Sequence, residues 1–167
     1  MNVYCRGEPV ATDTIYSETP CNDDGSTCVN LFVSTKSLVS DIYGMKTDKQ
    51  FVNTLEDNIR ARGATSKLIS DSDQSEVRNS AQIILWAIFI DDWQSEPNYQ
   101  HHNFYEHCYQ TIKLITNTIL VRAGAPVYTW FLALIYLWFL LKHTHADGIN
   151  SVTIIKATGS TSDISPL

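Results

Sequence analysis

Apolar residues run along this chain with two different periods. Up to Gly44 they come in short runs bounded by turn formers. EPVATDTIYS (8–17) is rich in Val, Thr, Ile and Tyr, and CNDDGST (21–27) gathers turn-making residues. VNLFVST (29–35) and LVSDIYG (38–44) come next, separated by a brief break. β-branched and aromatic residues suit a pleated, half-buried surface, so this opening third predicts three strands in an antiparallel meander.

From Asp48 the repeat lengthens. Phe51, Leu55 and Ile59 recur every four residues, Asp48 stands where a cap belongs, and Gly63 follows the last turn. Together they predict a helix of about 14 residues. KLISD (67–71) is a short apolar run closing on an acid, hence a fourth strand. From Ser75 to about Ile90 the helical period returns, with Val77, Ala81, Ile84, Leu85 and Ile88 on one face. DDWQSEPNYQHHN predicts a brief strand at Trp93 and a loop around Pro97. Two helices are predicted over 104–121 and 126–143, and GSTSDISPL closes the chain as a polar tail.

This order predicts an α/β fold with a mixed sheet, in which a crossover helix returns the chain to a parallel neighbour. Ligands of such sheets gather beyond the carboxyl ends of strands, where Asp71 stands.

A length of 167 residues suits one domain with a sizeable core, and 44% hydrophobic with 18% charged residues describes a globular chain. The formal charge of −6 argues against gripping nucleic acid by bulk positive charge. That excess is uneven: residues 1–76 hold 12 of the 18 acids and 7 of the 12 bases. Cys5, Cys21, Cys28 and Cys108 form no CxxC pair, which favours reduced thiols in an intracellular protein over a zinc site. VYTWFLALIYLWFLL (127–141) is the most apolar stretch, yet shorter than the ~17–25 residues of a membrane span. It predicts a buried helix and no membrane anchor, and its aromatics also suit an oligomer contact.

Candidate chemistry lies in three acids. Asp13 falls inside a predicted strand, where an acid needs a partner, a cation or an edge facing water. Asp71 follows a strand, a place that also suits a turn or cap acid. Glu106 sits in HHNFYEHCYQTI (101–112), whose histidines and cysteine superficially suggest zinc. Asn103 with Glu106 three residues on has the spacing of a capping box. In the helix so opened, Tyr105, Cys108, Ile112, Ile115 and Ile119 form an apolar stripe. Glu106, Gln110, Lys113 and Asn117 fall on another face, a polar ridge that would suit a nucleic-acid backbone.

The order of these acids, with the last two 35 positions apart, resembles the retroviral and retrotransposon integrase family, and most closely the Ty1/copia-type integrases. ATDTIY carries the first acid, KLISDSDQSE the second, and HHNFYEHCYQTIK is similar to the family's Gln-Asn-x-x-Glu-Arg segment. WFLALIYLWFLLKHT and TGSTSDISPL are similar to the stretch after the core in such polyproteins. Ser72 and Asp73 replace a usual Asn-Gly, His107 a usual Arg, and Lys142 a usual Asn.

The resemblance implies a ribonuclease H-like fold, with a catalytic core-like domain over 1–145 and a polar tail over 146–167. It implies a catalytic and metal-binding triad of Asp13, Asp71 and Glu106 holding two Mg²⁺ or Mn²⁺ ions, with DNA contacts from Lys113, Gln110 and Asn117. The implied activity is nicking of element DNA ends and their transfer into target DNA by a homo-oligomer acting in the nucleus. Two other readings share the fold: a non-catalytic nucleic-acid- or protein-binding remnant, and a ribonuclease H-type hydrolase of RNA–DNA hybrids.

Overall fold

The computed structural model describes residues 5–70, 85, 91–94 and 100–143; over 91–94 and 100–108 only the backbone is described. The meander forms as expected: β1 (Pro9–Tyr16), β2 (Cys28–Ser34) and β3 (Ser40–Met45) pair antiparallel in sequence order. Asp24 makes the turn before β2, its carboxylate accepting from the Ser26 amide at 2.8 Å and the Ser26 hydroxyl at 2.6 Å.

The first helix differs in its opening. Thr47 precedes a short 3-10 turn, Asp48–Gln50, which runs into α1 (Phe51–Arg62) with no side-chain cap. Asp48, expected to cap, instead lies within the first turn and accepts a weak bond from the Cys28 thiol at 3.8 Å. The tight turn occupies the residues that a capped α-helical start would use. Gly63 ends α1 with φ of 88°, which glycine adopts without a side-chain clash.

The chain then crosses to the other side of β1. β4 (Lys67–Ser70) runs parallel to β1, and β5 (Asp91–Gln94) parallel to β4, giving the order β3-β2-β1-β4-β5. The helix expected over 75–90 lies outside the described residues apart from Leu85, which is helical and buried. The polar tail lies outside them as well.

α2 (Gln100–Ala123) and, after a 3-10 turn at Val127–Thr129, α3 (Trp130–His143) complete the described chain. Strand alternation sorts the core into two layers. Ile15, Val29, Leu31 and Val33 pack against Tyr109, Ile112 and Leu120 of α2 and Trp130, Ala133, Leu134 and Leu137 of α3. On the opposite face, Val10, Cys28, Phe32 and Leu68 pack with Phe51 and Leu55 of α1 and with Leu85. Each large side chain so buried contributes roughly 1.5–3 kcal/mol.

The buried stripe of α2 is Tyr109, Ile112, Thr116 and Leu120, with Ile115 and Ile119 partly buried beside it. The expected stripe is thus rotated slightly from the observed one, because Thr116 spends its hydroxyl on the Ile112 carbonyl and buries its methyl. α3 departs further from expectation. One face is buried, whereas Leu132, Ile135, Tyr136, Phe139 and Leu140 remain exposed. Among the described residues no helix is long and apolar enough to cross a membrane.

Candidate functional site

Asp13 occupies the middle of β1, the central strand, so it is not an edge acid facing water. It is half-buried and lies opposite Leu31 on β2. Cross-strand partners share a sheet face, which puts Asp13 on the α2 side with Ile15 and Leu31. Its Oδ1 accepts from the Thr14 amide at 2.7 Å. On the other flank of β1 the described parallel ladder runs from Pro9–Lys67 to Thr12–Ser70 and stops one residue short of Asp13. The acid therefore stands where an antiparallel neighbour continues and the described parallel one ends, at the carboxyl end of β4.

Asp71, the next residue after Ser70, lies outside the described residues. Glu106 belongs to α2, and its backbone is helical; its side chain lies outside what is described. The capping box is overturned, since α2 begins at Gln100 and places Asn103 inside the helix. Three further residues of i→i−4 bonding outweigh the modest preference of asparagine for a cap. Among the described residues no three His, Cys, Asp or Glu side chains come together to hold a metal ion.

The polar ridge has the expected placement. Gln110, Lys113 and Asn117 are exposed along one side of α2, at i+4, i+7 and i+11 from Glu106. α2 carries one acid, Glu106, against Lys113 and Arg122, so this helix escapes the acidic balance of the whole chain.

Behind Asp13 stands a polar relay that pattern reading missed. The Thr12 hydroxyl donates to Asn30 Oδ1 at 2.9 Å, Asn30 Nδ2 donates to Thr54 Oγ1 at 3.0 Å, and the Thr54 hydroxyl donates to the Phe51 carbonyl at 2.8 Å. All three side chains are buried, and together they tie β1 and β2 to α1 one residue before Asp13. Buried polar groups survive when bonded, and such a relay fixes strand register. Thr12 and Asn30 facing the core side of predicted strands were the available signal.

A second cluster lies at the start of β3. Arg62 grips Asp41 through two bonds, Nε to Oδ2 at 2.9 Å and NH2 to Oδ1 at 2.7 Å. Lys142 Nζ approaches the same carboxylate at 3.6 Å and sits 4.3 Å from the Trp138 ring centre. The Trp138 indole donates to the Ser40 carbonyl. The hydrogen bond to Asp41 raises the Arg62 pKa, whereas burial, with the Arg62 charge acting the same way, lowers that of Lys142. Lys142 is thus a structural cation that docks α3 onto β3.

No protein-family model matches this sequence, and no curated protein does either. Solved structures do. A chain of the simian T-cell lymphotropic virus intasome, solved in complex with PP2A regulatory subunit B56 gamma, superposes with a TM-score of 0.72 at 12% identity over 96% of this chain. The present chain spans only 57% of that longer one. The HTLV-2 integrase catalytic core domain in complex with magnesium matches in a trimeric form at a TM-score of 0.68, covering 90% of this chain and 96% of that one. Its dimeric form matches at 0.63, covering 88% and 93%, with 12% identity in both. This protein has the ribonuclease H-like fold of retroviral integrase catalytic cores.

Proposed function

We propose that the protein is a polynucleotidyl transferase of DNA integration, of Ty1/copia-type retrotransposon origin, which nicks element ends and joins them to target DNA as a homo-oligomer. The observation that carries this reading is Asp13, an acid half-buried at the centre of the sheet beside the end of β4. Ser70, the last residue of β4, lies opposite Thr12, one position before Asp13 in β1. Glu106 is contributed by α2, the helix packed on the face of the sheet that Asp13 shares.

The chemistry of this donor set fits a hard divalent cation, because carboxylate oxygens suit Mg²⁺ or Mn²⁺ and disfavour zinc. Asp13, Asp71 and Glu106 would hold two ions, which supply charge stabilisation at both oxygens of an in-line displacement. Asp13 would be one of the carboxylates that hold them, and the Thr14 amide, donating to its Oδ1 at 2.7 Å, would steady it. Gln110, Lys113 and Asn117 would bind backbone phosphates and align the DNA along α2. The proposed core comprises residues 1–145, with 146–167 as its polar tail.

Purified protein incubated with labelled duplex DNA, an RNA–DNA hybrid and Mn²⁺ tests the proposal. Nicking or joining of duplex ends, lost on chelation and in Asp71→Asn, is the expected result. Cleavage confined to the hybrid would assign a ribonuclease H-type activity instead. Duplex processing that survives Asp71→Asn unchanged would refute the triad.

A further inference from the structure

The outermost line of α2 is apolar. Leu114 is 68% exposed and Val121 81%, more than any other large hydrophobic side chain among the described residues. Thr118, also exposed, stands between them and spends its one donor on the helix itself, its hydroxyl bonding the Leu114 carbonyl at 2.8 Å. The three fall at i, i+4 and i+7 and so share a line, about half a turn from the buried stripe of Tyr109, Ile112, Thr116 and Leu120. A surface helix ordinarily puts charge there.

The flanks of the line identify what it meets. Lys113 and Arg122, both exposed, are nine residues apart, about two and a half turns at ~3.6 residues per turn. They therefore stand on opposite sides of the helix, with the apolar line between them. No Asp or Glu occurs from His107 to His143, although the chain as a whole carries −6. A cation on each flank and no acid along the way suit a partner that is anionic on both sides of an uncharged floor. The major groove of duplex DNA has that form: phosphates line its two walls, and thymine methyl groups project from its floor. It is ~12 Å wide, and a helix with its side chains measures about 10–12 Å across. From Leu114 to Val121 the helix rises ~10 Å, about three base-pair steps at ~3.4 Å each.

We propose that α2 enters the major groove of duplex DNA, with Leu114, Thr118 and Val121 against thymine methyl groups and Lys113 and Arg122 on the phosphates of the two walls, so that this helix confers a preference for A·T-rich sites. The proposal rests on the DNA-binding part of the preceding reading and adds base recognition to it. Glu106 lies about two turns before Leu114 in the same helix, so a duplex seated in this way runs toward the proposed triad.

Fluorescence anisotropy in EDTA, with no turnover, compares two A·T-rich duplexes of one sequence, the second carrying uracil wherever the first carries thymine and so lacking only the methyl groups. The wild-type chain is expected to bind the thymine duplex on the order of tenfold more tightly, at roughly fourfold for each of two methyls covered. Leu114→Gln and Val121→Gln should each shrink that ratio, and together bring it to about twofold or less. Lys113→Gln should weaken both duplexes alike and lower the salt dependence by about one unit of slope. Leu114 and Val121 meet solvent over most of their surface, so urea midpoints are expected to hold, and the two single variants keep the test decisive should the double one misfold. Equal wild-type affinity for the two duplexes overturns the proposal and leaves the phosphate-binding reading standing. A thymine preference that survives all the Leu114 and Val121 variants overturns it as well, by assigning the effect to DNA shape. Absence of salt-dependent binding to either duplex overturns both the proposal and the phosphate-binding reading.

Discussion

Asp41→Asn removes one negative charge from a site that holds two cations. Arg62 gives Asp41 two charge-assisted bonds at 2.7 and 2.9 Å, and Lys142 adds a third approach at 3.6 Å. Side-chain exposures of 9% for Asp41, 19% for Arg62 and 13% for Lys142 allow little help from water. Breaking a buried pair costs ~3–5 kcal/mol because the surviving charge is stranded. The residual exposure here places the expected loss at the lower end, about 3 kcal/mol. For a domain of this size that corresponds to a fall in Tm of roughly 6–12 °C. Urea unfolding followed by far-UV circular dichroism and tryptophan fluorescence measures it, with an unchanged m-value confirming that stability alone has moved. Arg60→Ala is the contrast. Its bonds to Glu56 and Asp57 lie in solvent, with the arginine side chain 68% exposed, and their loss should cost no more than about 0.5 kcal/mol. A loss below about 1 kcal/mol for Asp41→Asn, or an equal loss for Arg60→Ala, would refute the reasoning, since it rests on the difference between stranded and solvated charge.

The packing has other consequences. Gly44→Ala would set a Cβ 2.9 Å from the Phe131 ring and 2.9 Å from Ser26 Oγ, so overpacking should cost about 1–3 kcal/mol in the same urea assay. Asn30→Leu strips the Thr12 hydroxyl of its acceptor and should cost about 1–3 kcal/mol; because it loosens β1 beside Asp13, DNA processing should fall as well. Burial, with the Asp48 charge acting the same way, raises the Cys28 thiol pKa above 9.0. An acid whose folded pKa is raised contributes stability that is whole below its unfolded value and lost as pH climbs through the folded one. Stability should therefore decline above about pH 9 through this group, less steeply in Cys28→Ser. Peptide mapping after brief iodoacetamide treatment at pH 8 should find exposed Cys5 alkylated well before buried Cys21 and Cys28.

Local signals carried most of the architecture. Runs of Val, Ile, Thr and Tyr marked four strands within a few residues, and a four-residue repeat closed by Gly63 marked α1. Even the short β5 at Trp93 was legible, from an apolar residue held between turn formers. Helix starts were not. Asp48 and Asn103 both have capping chemistry, but a 3-10 turn absorbed one and an earlier helix start the other. Propensity at a single residue is worth a fraction of a kcal/mol, which neighbouring backbone geometry readily overrides.

Long-range pairing was invisible for a different reason. Arg62 meets Asp41 across 21 residues and Trp138 meets Ser40 across 98, and nothing in a local window encodes either partner. The double-sided apolarity of α3 was plain in the sequence, yet composition cannot tell a helix buried on two sides by its own fold from one that keeps a face for something else. Of the candidate site, the central place of Asp13 and the exposed ridge of Gln110, Lys113 and Asn117 agree with the sequence reading. Asp71 and the Glu106 side chain lie outside the described residues.

Binding of Mn²⁺ by the folded protein, monitored through the loss of its free electron paramagnetic resonance signal, reaches the central claim without requiring turnover. Removing a mere supporting group from a metal site weakens affinity about 10–100-fold, so losing a direct carboxylate should do at least that. Asp13→Asn, Asp71→Asn and Glu106→Gln are each expected to weaken Mn²⁺ binding by that factor or more while urea midpoints stay close to wild type. Undiminished Mn²⁺ affinity in all three variants would contradict the account.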